Sequence, residues 1–399
     1  MTLNKTRNLT PTLSLERRGS LCRRSLLAAA FVLAPATVKA DPLPVWQPAP
    51  NHMLDERWAP AYCLLADGRH ALIAGGFSYS KGVCVDSADI YDERRHRFVH
   101  AHGHLKQRRD FANANLLPDG TVLISGGYDT QLASLDTAEL YVPRRNRFEP
   151  IASKMSNARE LFTATTLRDG RVLCAGGLDL YKHGTVDTAD LYDPSTRTFT
   201  AVSSTLAVDR FGQTAILLPD GRVLIAGGKS WKVGHPDKPL ASAEIFDPST
   251  GLFHRTKTNM SVPRDRATST LLADGTVFIA GGQDGGIGPL TCEIFDPKTE
   301  TFTTIPAQMH TSRMAHSAAM LSNGRILFAG GWSQPAHATT ATVEIYDPST
   351  FTFAGGPPLP VDAHDFAMIQ FPDGLLLVAG GKRVDGIPTS IDTGCTLSP

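Results

Sequence analysis

Apolar residues in this chain fall into short runs, each bounded by residues that make turns. Val122-Leu123-Ile124 and Val223-Leu224-Ile225 are typical, too short for a helix and right for a buried strand. Each such run follows a dipeptide that tolerates the positive φ of a tight hairpin: Asp67-Gly68, Asp119-Gly120, Asp169-Gly170, Asp220-Gly221, Asp274-Gly275, Asn323-Gly324 or Asp373-Gly374. A second run precedes the turn, as in Asn115-Leu116-Leu117 and Ile216-Leu217-Leu218, so the pattern predicts a strand hairpin in every unit. The hairpin ends at a glycine pair: Gly75-Gly76, Gly126-Gly127, Gly176-Gly177, Gly227-Gly228, Gly281-Gly282, Gly330-Gly331 and Gly380-Gly381. A recurrence about every fifty residues marks an internal repeat.

After each pair comes a variable loop and then a third predicted strand. It reads Asp89-Ile90-Tyr91-Asp92, Glu139-Leu140-Tyr141, Asp190-Leu191-Tyr192-Asp193-Pro194, Glu244-Ile245-Phe246-Asp247-Pro248, Glu293-Ile294-Phe295-Asp296-Pro297 or Glu344-Ile345-Tyr346-Asp347-Pro348. A fourth strand carries one aromatic residue, Phe98, Phe148, Phe199, Phe253, Phe302 or Phe353. Four short strands per unit make one propeller blade. The expected fold is therefore all-β, a seven-bladed β-propeller with four strands per blade.

These motifs together resemble the kelch repeat, and the resemblance covers residues 42–399. The chain departs from that pattern by using Phe where the family often has Trp. The seventh unit has its turn, its glycine pair and a third strand expected around Thr389 to Thr393, but no fourth strand. Trp46 lies seven residues before Met53, as each fourth-strand aromatic lies six or seven before Leu105, Met155, Leu206, Met260, Met309 or Leu359. The segment around Val45 to Gln47 is thus expected to supply the missing outer strand. An N-terminal strand completing the last blade would close the ring and remove an exposed sheet edge.

Composition changes this picture little: 399 residues, 42% hydrophobic and 20% charged, suit a folded globular chain. Lys plus Arg and Asp plus Glu are equal at 39 each, so no general attraction to nucleic acid is expected. The first forty residues read differently. Arg17, Arg18, Arg23 and Arg24 precede an apolar run from Leu26 to Ala34, followed by Val38-Lys39-Ala40. Basic, apolar and then small is the order of an export signal. Cys22-Arg23-Arg24-Ser25-Leu26-Leu27 resembles the twin-arginine type, with cleavage expected after Ala40. The expected organisation is a signal at 1–40, a propeller at 41–399, and a periplasmic or secreted monomer with no later membrane span. An ordinary secretory signal and an uncleaved anchor are the alternatives. Without Cys22, Cys63, Cys84, Cys174, Cys292 and Cys395 remain, odd in number, and no CxxC occurs.

Ten residues before each turn Asp or Asn stand Arg57, Arg109, Arg159, Arg210, Arg264 and Arg313, with Ala363 and then His364 in the seventh unit. Resemblance to kelch propellers implies that this residue starts the innermost strand near the mouth of the central channel. Like charges about 10 Å apart repel by roughly 0.4 kcal/mol in water and about 1.7 at an effective dielectric of 20, so such a ring calls for partners. The adjacent acids Asp110, Glu160, Asp209, Asp265 and Asp365 offer them, and neighbouring blades offer carbonyls. Arg57 and Arg313 have no acidic neighbour in sequence and are expected to be the free ones, able to clamp a carboxylate or phosphate. The loops after the glycine pairs add Tyr79, Tyr128, Tyr181, Trp231 and Trp332 as ligand-binding candidates, since variable loops on a rigid scaffold carry function.

His100, His102 and His104 alternate along an extended segment, where they are read as a fortuitous cluster rather than a metal site. Kelch copper radical oxidases, which resemble galactose oxidase, use two Tyr, two His and a cross-linking Cys; the characteristic Tyr-His pair is absent here, and neither metal nor cofactor is expected. The leading expectation is a noncatalytic exported protein whose mouth loops bind a protein, peptide or glycan. One alternative is a sialic-acid mutarotase, suggested by the arginine ring with adjacent acids. Another is a structural envelope protein without a ligand, for which a smooth mouth with every arginine paired would speak.

Overall fold

The computed structural model describes residues 45–130, 133–182, 184–384 and 389–398, and the expected signal at 1–40 with its cleavage point lies outside them. Seven four-stranded antiparallel sheets succeed one another along the chain. Blade 1 runs, from the innermost strand outward, through Ala61–Leu64, His70–Ala74, Ala88–Asp92 and Arg97–His100. Blades 2 to 6 repeat it from inner strands Asn113–Leu116, Thr163–Thr166, Thr214–Leu217, Thr268–Leu271 and Ser317–Met320. Each inner strand packs on the next, and that of blade 7, Ala367–Gln370, packs on that of blade 1, so the ring is closed.

Blade 7 takes its outer strand from Gln47–Pro48, which pairs antiparallel with Gly394–Leu397. The expected N-terminal strand is therefore present, shifted by a residue or two. Trp46 beside it is buried and donates its indole N–H to the Pro357 carbonyl at 2.9 Å. The third strand of blade 7 is Gly394–Leu397, not Thr389 to Thr393. Thr389–Ser390 instead pairs with Lys382–Arg383 in a two-stranded ribbon, because the stretch after the glycine pair folds back on itself here as it does in five other blades.

Second strands such as Val122–Ser125 and Val277–Ala280 are buried along their whole length, which is why they read as unbroken apolar runs. Their side chains meet those of the next blade: Leu224 and Ile245 of blade 4 share one cluster with Val277, Ile279 and Phe295 of blade 5. Within a blade the third-strand aromatic faces the fourth-strand Phe, as in Tyr141 and Phe148, with ring centroids 5.0 Å apart. Two rings tilted against each other thus fill the space at the blade's outer edge.

The glycine pairs hold blade to blade. The first glycine of one blade lies against the arginine carbonyl of the next, and a Cβ on Gly227 would come within 2.3 Å of the Arg264 oxygen. The second donates its N–H to that same carbonyl, from Gly76 to Arg109 at 2.8 Å and so on round the ring. Both sit at positive φ, so a side chain is excluded by conformation as well as by space. Cys63, Cys84, Cys174, Cys292 and Cys395 are all free thiols. No helix among the described residues is long and apolar enough to cross a membrane.

Candidate ligand site at the channel mouth

The six arginines do not ring the opening. Arg57, Arg109, Arg159, Arg210, Arg264 and Arg313 are all fully buried, each guanidinium turned into its own blade. Each is ion-paired with the acid that opens the third-strand motif: Asp89, Glu139, Asp190, Glu244, Glu293 and Glu344, at 2.6 to 3.2 Å. Arg313 is representative, donating to the Gly330 carbonyl at 2.7 Å, the Thr342 carbonyl at 3.0 Å and the Glu344 carboxylate at 2.7 Å. The carboxylate also accepts the backbone N–H groups of His310 and Thr311, fastening the preceding turn. The expectation that Arg57 and Arg313 stand free is thus corrected, and so is pairing with sequence-adjacent acids or neighbouring blades. Adjacent side chains in extended chain point to opposite sides, whereas strand pairing brings the third-strand acid alongside. Blade 7 has Ala363 for the arginine and Cys395 in the acid's register, so the pair is absent as a unit.

The mouth is built instead by the two residues after each arginine. The second, Ala59, Phe111, Leu161, Gly212, Arg266, Ala315 and Asp365 in blades 1 to 7, adopts left-handed φ between 47° and 64°. Backbone hydrogen bonds link successive members, including Gly212 N–H to Leu161 O at 2.8 Å and Ala59 N–H to Asp365 O at 3.0 Å. All seven line an axial cavity of about 260 Å³. Six non-glycine residues held in a costly conformation by one another form a rigid collar, and their side chains are fixed in position.

Two collar residues carry charge. Arg266 of blade 5 reaches past blade 6 to ion-pair with Asp365 of blade 7, and its guanidinium lies 5.5 Å from the Phe111 ring centroid. Asp365 Oδ2 also accepts from the Trp58 indole N–H at 3.0 Å and from His364 Nδ1 at 2.8 Å. Burial alone would raise this carboxyl, but Arg266, His364 and Trp58 together hold it well below the usual carboxylate range. The bond from Nδ1 fixes the ring's orientation, and in the neutral tautomer it leaves Nε2 as the acceptor nitrogen. Its ring stands edge-on between Trp58 and Trp332, at 6.1 and 6.2 Å.

Trp58 is the centre of this wall, meeting Phe111 at 5.0 Å, Tyr79 at 6.0 Å and Phe77 at 6.4 Å between centroids. Lys382 lays its ammonium 4.5 Å from the Trp58 centroid and 5.0 Å from that of Tyr79. On blades 2 and 3 stand Asp110 and Glu160, both buried. Burial, aided by the charge of Glu160, pushes Asp110 up to about 8, and burial pushes Glu160 up to about 7. Among the described residues Asp110 Oδ1 finds no hydrogen-bond partner. Asp265 of blade 5 is also raised by burial, with Lys229 opposing at 3.3 Å.

Of the loop candidates, Tyr79 and His364 therefore meet Trp58, and Trp332 meets His364. Tyr128 is half-buried and takes the carbonyl contact of the Cys84 thiol at 3.5 Å. Trp231 is half-buried, its carbonyl accepting from Thr185 to tie the ribbons of blades 3 and 4. Tyr181 is 66% exposed and belongs to the outer rim. Asp209 serves the rim too, accepting from Ser230 Oγ at 3.0 Å. Trp58, Phe111 and Arg266 are mouth residues that the repeat pattern does not single out. Their signal was available: the two positions after the arginine read Trp-Ala, Asp-Phe, Glu-Leu, Phe-Gly, Asp-Arg, Met-Ala and His-Asp, irregular amid a regular repeat.

No protein-family model matches the sequence, and no curated protein matches it. Among solved structures the chain is similar to a fungal alcohol oxidase of the AA5 family in complex with copper. The two are 17% identical, the match covers 90% of this chain and 77% of that one, and the TM-score is 0.69. That likeness shows the propeller fold and fits a kelch-type ring. Among the described residues no three His, Cys, Asp or Glu side chains gather as a metal set. His100 and His104 turn to separate carboxylates, Asp89 and Asp86.

Proposed function

We propose that this chain is an exported kelch-type binding propeller that takes up a peptide or glycan on the channel-mouth face. The observation that carries the reading is the wall of Trp58, Tyr79, Trp332 and His364 beside the Arg266–Asp365 pair, where aromatic faces and fixed polar groups converge on one opening. Rigid aromatic surface with a few oriented polar atoms is the common make-up of ligand sites. Export rests on the basic, apolar, small order of residues 1–40.

The test is a thermal-shift panel of neutral oligosaccharides, acidic sugars and short peptides against the intact protein and its Trp332→Ala and His364→Ala variants. A ligand at about 100 times its dissociation constant adds roughly 2.7 kcal/mol, and the shift is expected to shrink in both variants. No shift with any ligand, or one indifferent to both substitutions, rejects the mouth as the site. A purely structural protein would then be favoured, a reading with which the six paired arginines agree and the uneven mouth does not.

A carbohydrate-active enzyme is the second reading, favoured by one observation: Asp365 orients His364 at 2.8 Å, and the imidazole stands beside two tryptophans. The arginines that suggested sialic acid are all engaged, so the support has moved to this pair. Anomer exchange no faster than in buffer, or unchanged in His364→Ala, dismisses it.

A further inference from the structure

The ammonium of Lys382 is unusually placed. It lies within 5.0 Å of two ring centroids, Trp58 and Tyr79, whose planes are inclined by 39°. Phe77 packs edge-on against both rings, at 86° to Trp58 and 76° to Tyr79, and buttresses them. Among the described residues Lys382 makes no ion pair, whereas the next residue, Arg383, reaches Asp362 at 2.9 Å. Half-buried and without a carboxylate, the ammonium is held by aromatic faces.

The box is primed for positive charge from below. The Trp58 indole N–H donates to the Asp365 carboxylate, which Arg266 and His364 keep ionised. A hydrogen bond to an anion pushes electron density into the indole ring and strengthens its attraction for a cation. The walls are tied down without the lysine side chain: the Phe77 carbonyl accepts from Ser390 Oγ at 3.0 Å, the same hydroxyl accepts from the Tyr79 N–H at 3.0 Å, and Trp58 and Phe77 exchange backbone hydrogen bonds at 2.9 Å. Removal of the lysine ammonium leaves a box with no reason to collapse.

We propose that the Trp58–Tyr79 box, backed by Phe77, is a receptor for an alkylammonium group of the ligand, with Lys382 as a resident occupant that the ligand displaces. This rests on the mouth-binding reading above and narrows its chemistry to ligands bearing an amine or methylated amine.

The experiment uses the intact protein and its Lys382→Met variant, which keeps the stem and removes the charge. Calorimetric titration with choline, with a Gly-trimethyllysine-Gly peptide and with the neutral isostere 3,3-dimethylbutan-1-ol compares the two. Choline is expected to bind Lys382→Met at least tenfold more tightly than the unaltered protein, and the isostere at least tenfold more weakly than choline. Tighter peptide than choline binding identifies a peptide source, and equal binding a small ammonium. Equal binding of choline and isostere, or no cation binding by Lys382→Met with unaltered circular dichroism, overturns the proposal. Should the sugar or peptide panel still bind, the mouth reading survives and only the box is lost. Tyr79→Leu, which leaves the Asp365 network untouched, is expected to weaken choline binding at least tenfold in the Lys382→Met background.

Discussion

The backbone N–H of Gly381, in the last blade, donates to the carbonyl of Arg57, in the first, at 2.9 Å. It is the same bond that Gly76 makes to Arg109 one blade along, so the seam where the chain's two ends meet is built like every other seam. At Gly381 φ is +107°, and a Cβ there would lie 2.9 Å from the Phe366 Cβ and 3.1 Å from that of Ala363. Gly381→Ala is therefore expected to cost at least ~2 kcal/mol through strain and overpacking. Gly82→Ala, at φ +66° with nothing within 4 Å, provides the comparison and should lose only about 1 kcal/mol. Thermal melts of the two variants check this, and equal losses would remove the packing account.

The arginine–acid pair behaves as a unit, since blade 7 dispenses with both members at Ala363 and Cys395. Arg159→Ala strands Asp190 in a site where that carboxylate is 1% exposed. Removing one partner of a buried pair costs about 3–5 kcal/mol. Arg159→Ala combined with Asp190→Cys reproduces the blade 7 arrangement and is expected to recover more than half of the loss. Denaturant unfolding of the single and double variants decides; no recovery would mean that the pair's other hydrogen bonds, not the charge, set the cost.

The fold was legible because each of its devices repeats: turn, glycine pair, acid and aromatic recur in register, and errors in one unit are corrected by six others. Blade 7 shows the limit, since its third strand was assigned to residues that form the ribbon with Lys382–Arg383. The site was less legible for a physical reason. The arginines stand out because they repeat, and they repeat because each ties the glycine pair of its own blade to that blade's third strand. What differs between blades, Trp58, Phe111, Arg266 and Asp365, sits where a regular collar presents irregular side chains. Arg266 and Asp365 are brought together across 99 residues by ring closure, a separation that no local pattern reports.

Asp110 and Glu160 set a stability trend with a definite sign. Their folded values, about 8 and about 7, lie above those of an unfolded carboxyl. Between roughly pH 4 and pH 7 the unfolded chain holds fewer protons at these groups than the folded one, so stability falls as pH rises, by about 1.4 kcal/mol per unit for each group in that window. Asp110→Asn with Glu160→Gln should flatten the decline and raise stability at pH 8. The melting temperature followed from pH 5 to pH 8 measures it, and an unchanged slope in the double variant would show that both carboxyls are ionised in the fold.

Asp365 has the opposite sign. Its folded value is depressed, so its contribution is present above the unfolded carboxyl value and is lost only as pH falls through the much lower folded one. Burial works against that depression, and Arg266 is the largest influence in its favour. Arg266→Met leaves the carboxylate with the Trp58 and His364 hydrogen bonds alone, so its protonation should move up toward the ordinary carboxylate range near pH 4. Because the Trp58 indole donates to that carboxylate, its fluorescence reports the event. In the unaltered protein the emission is expected to hold steady down to about pH 3, and in Arg266→Met to change near pH 4. Asp365→Asn in the same background should abolish the transition. A titration that stays in place without Arg266 would transfer control of the mouth to the His364 hydrogen bond, and with it the argument that the residue crossing the collar sets the charge beneath the aromatic box.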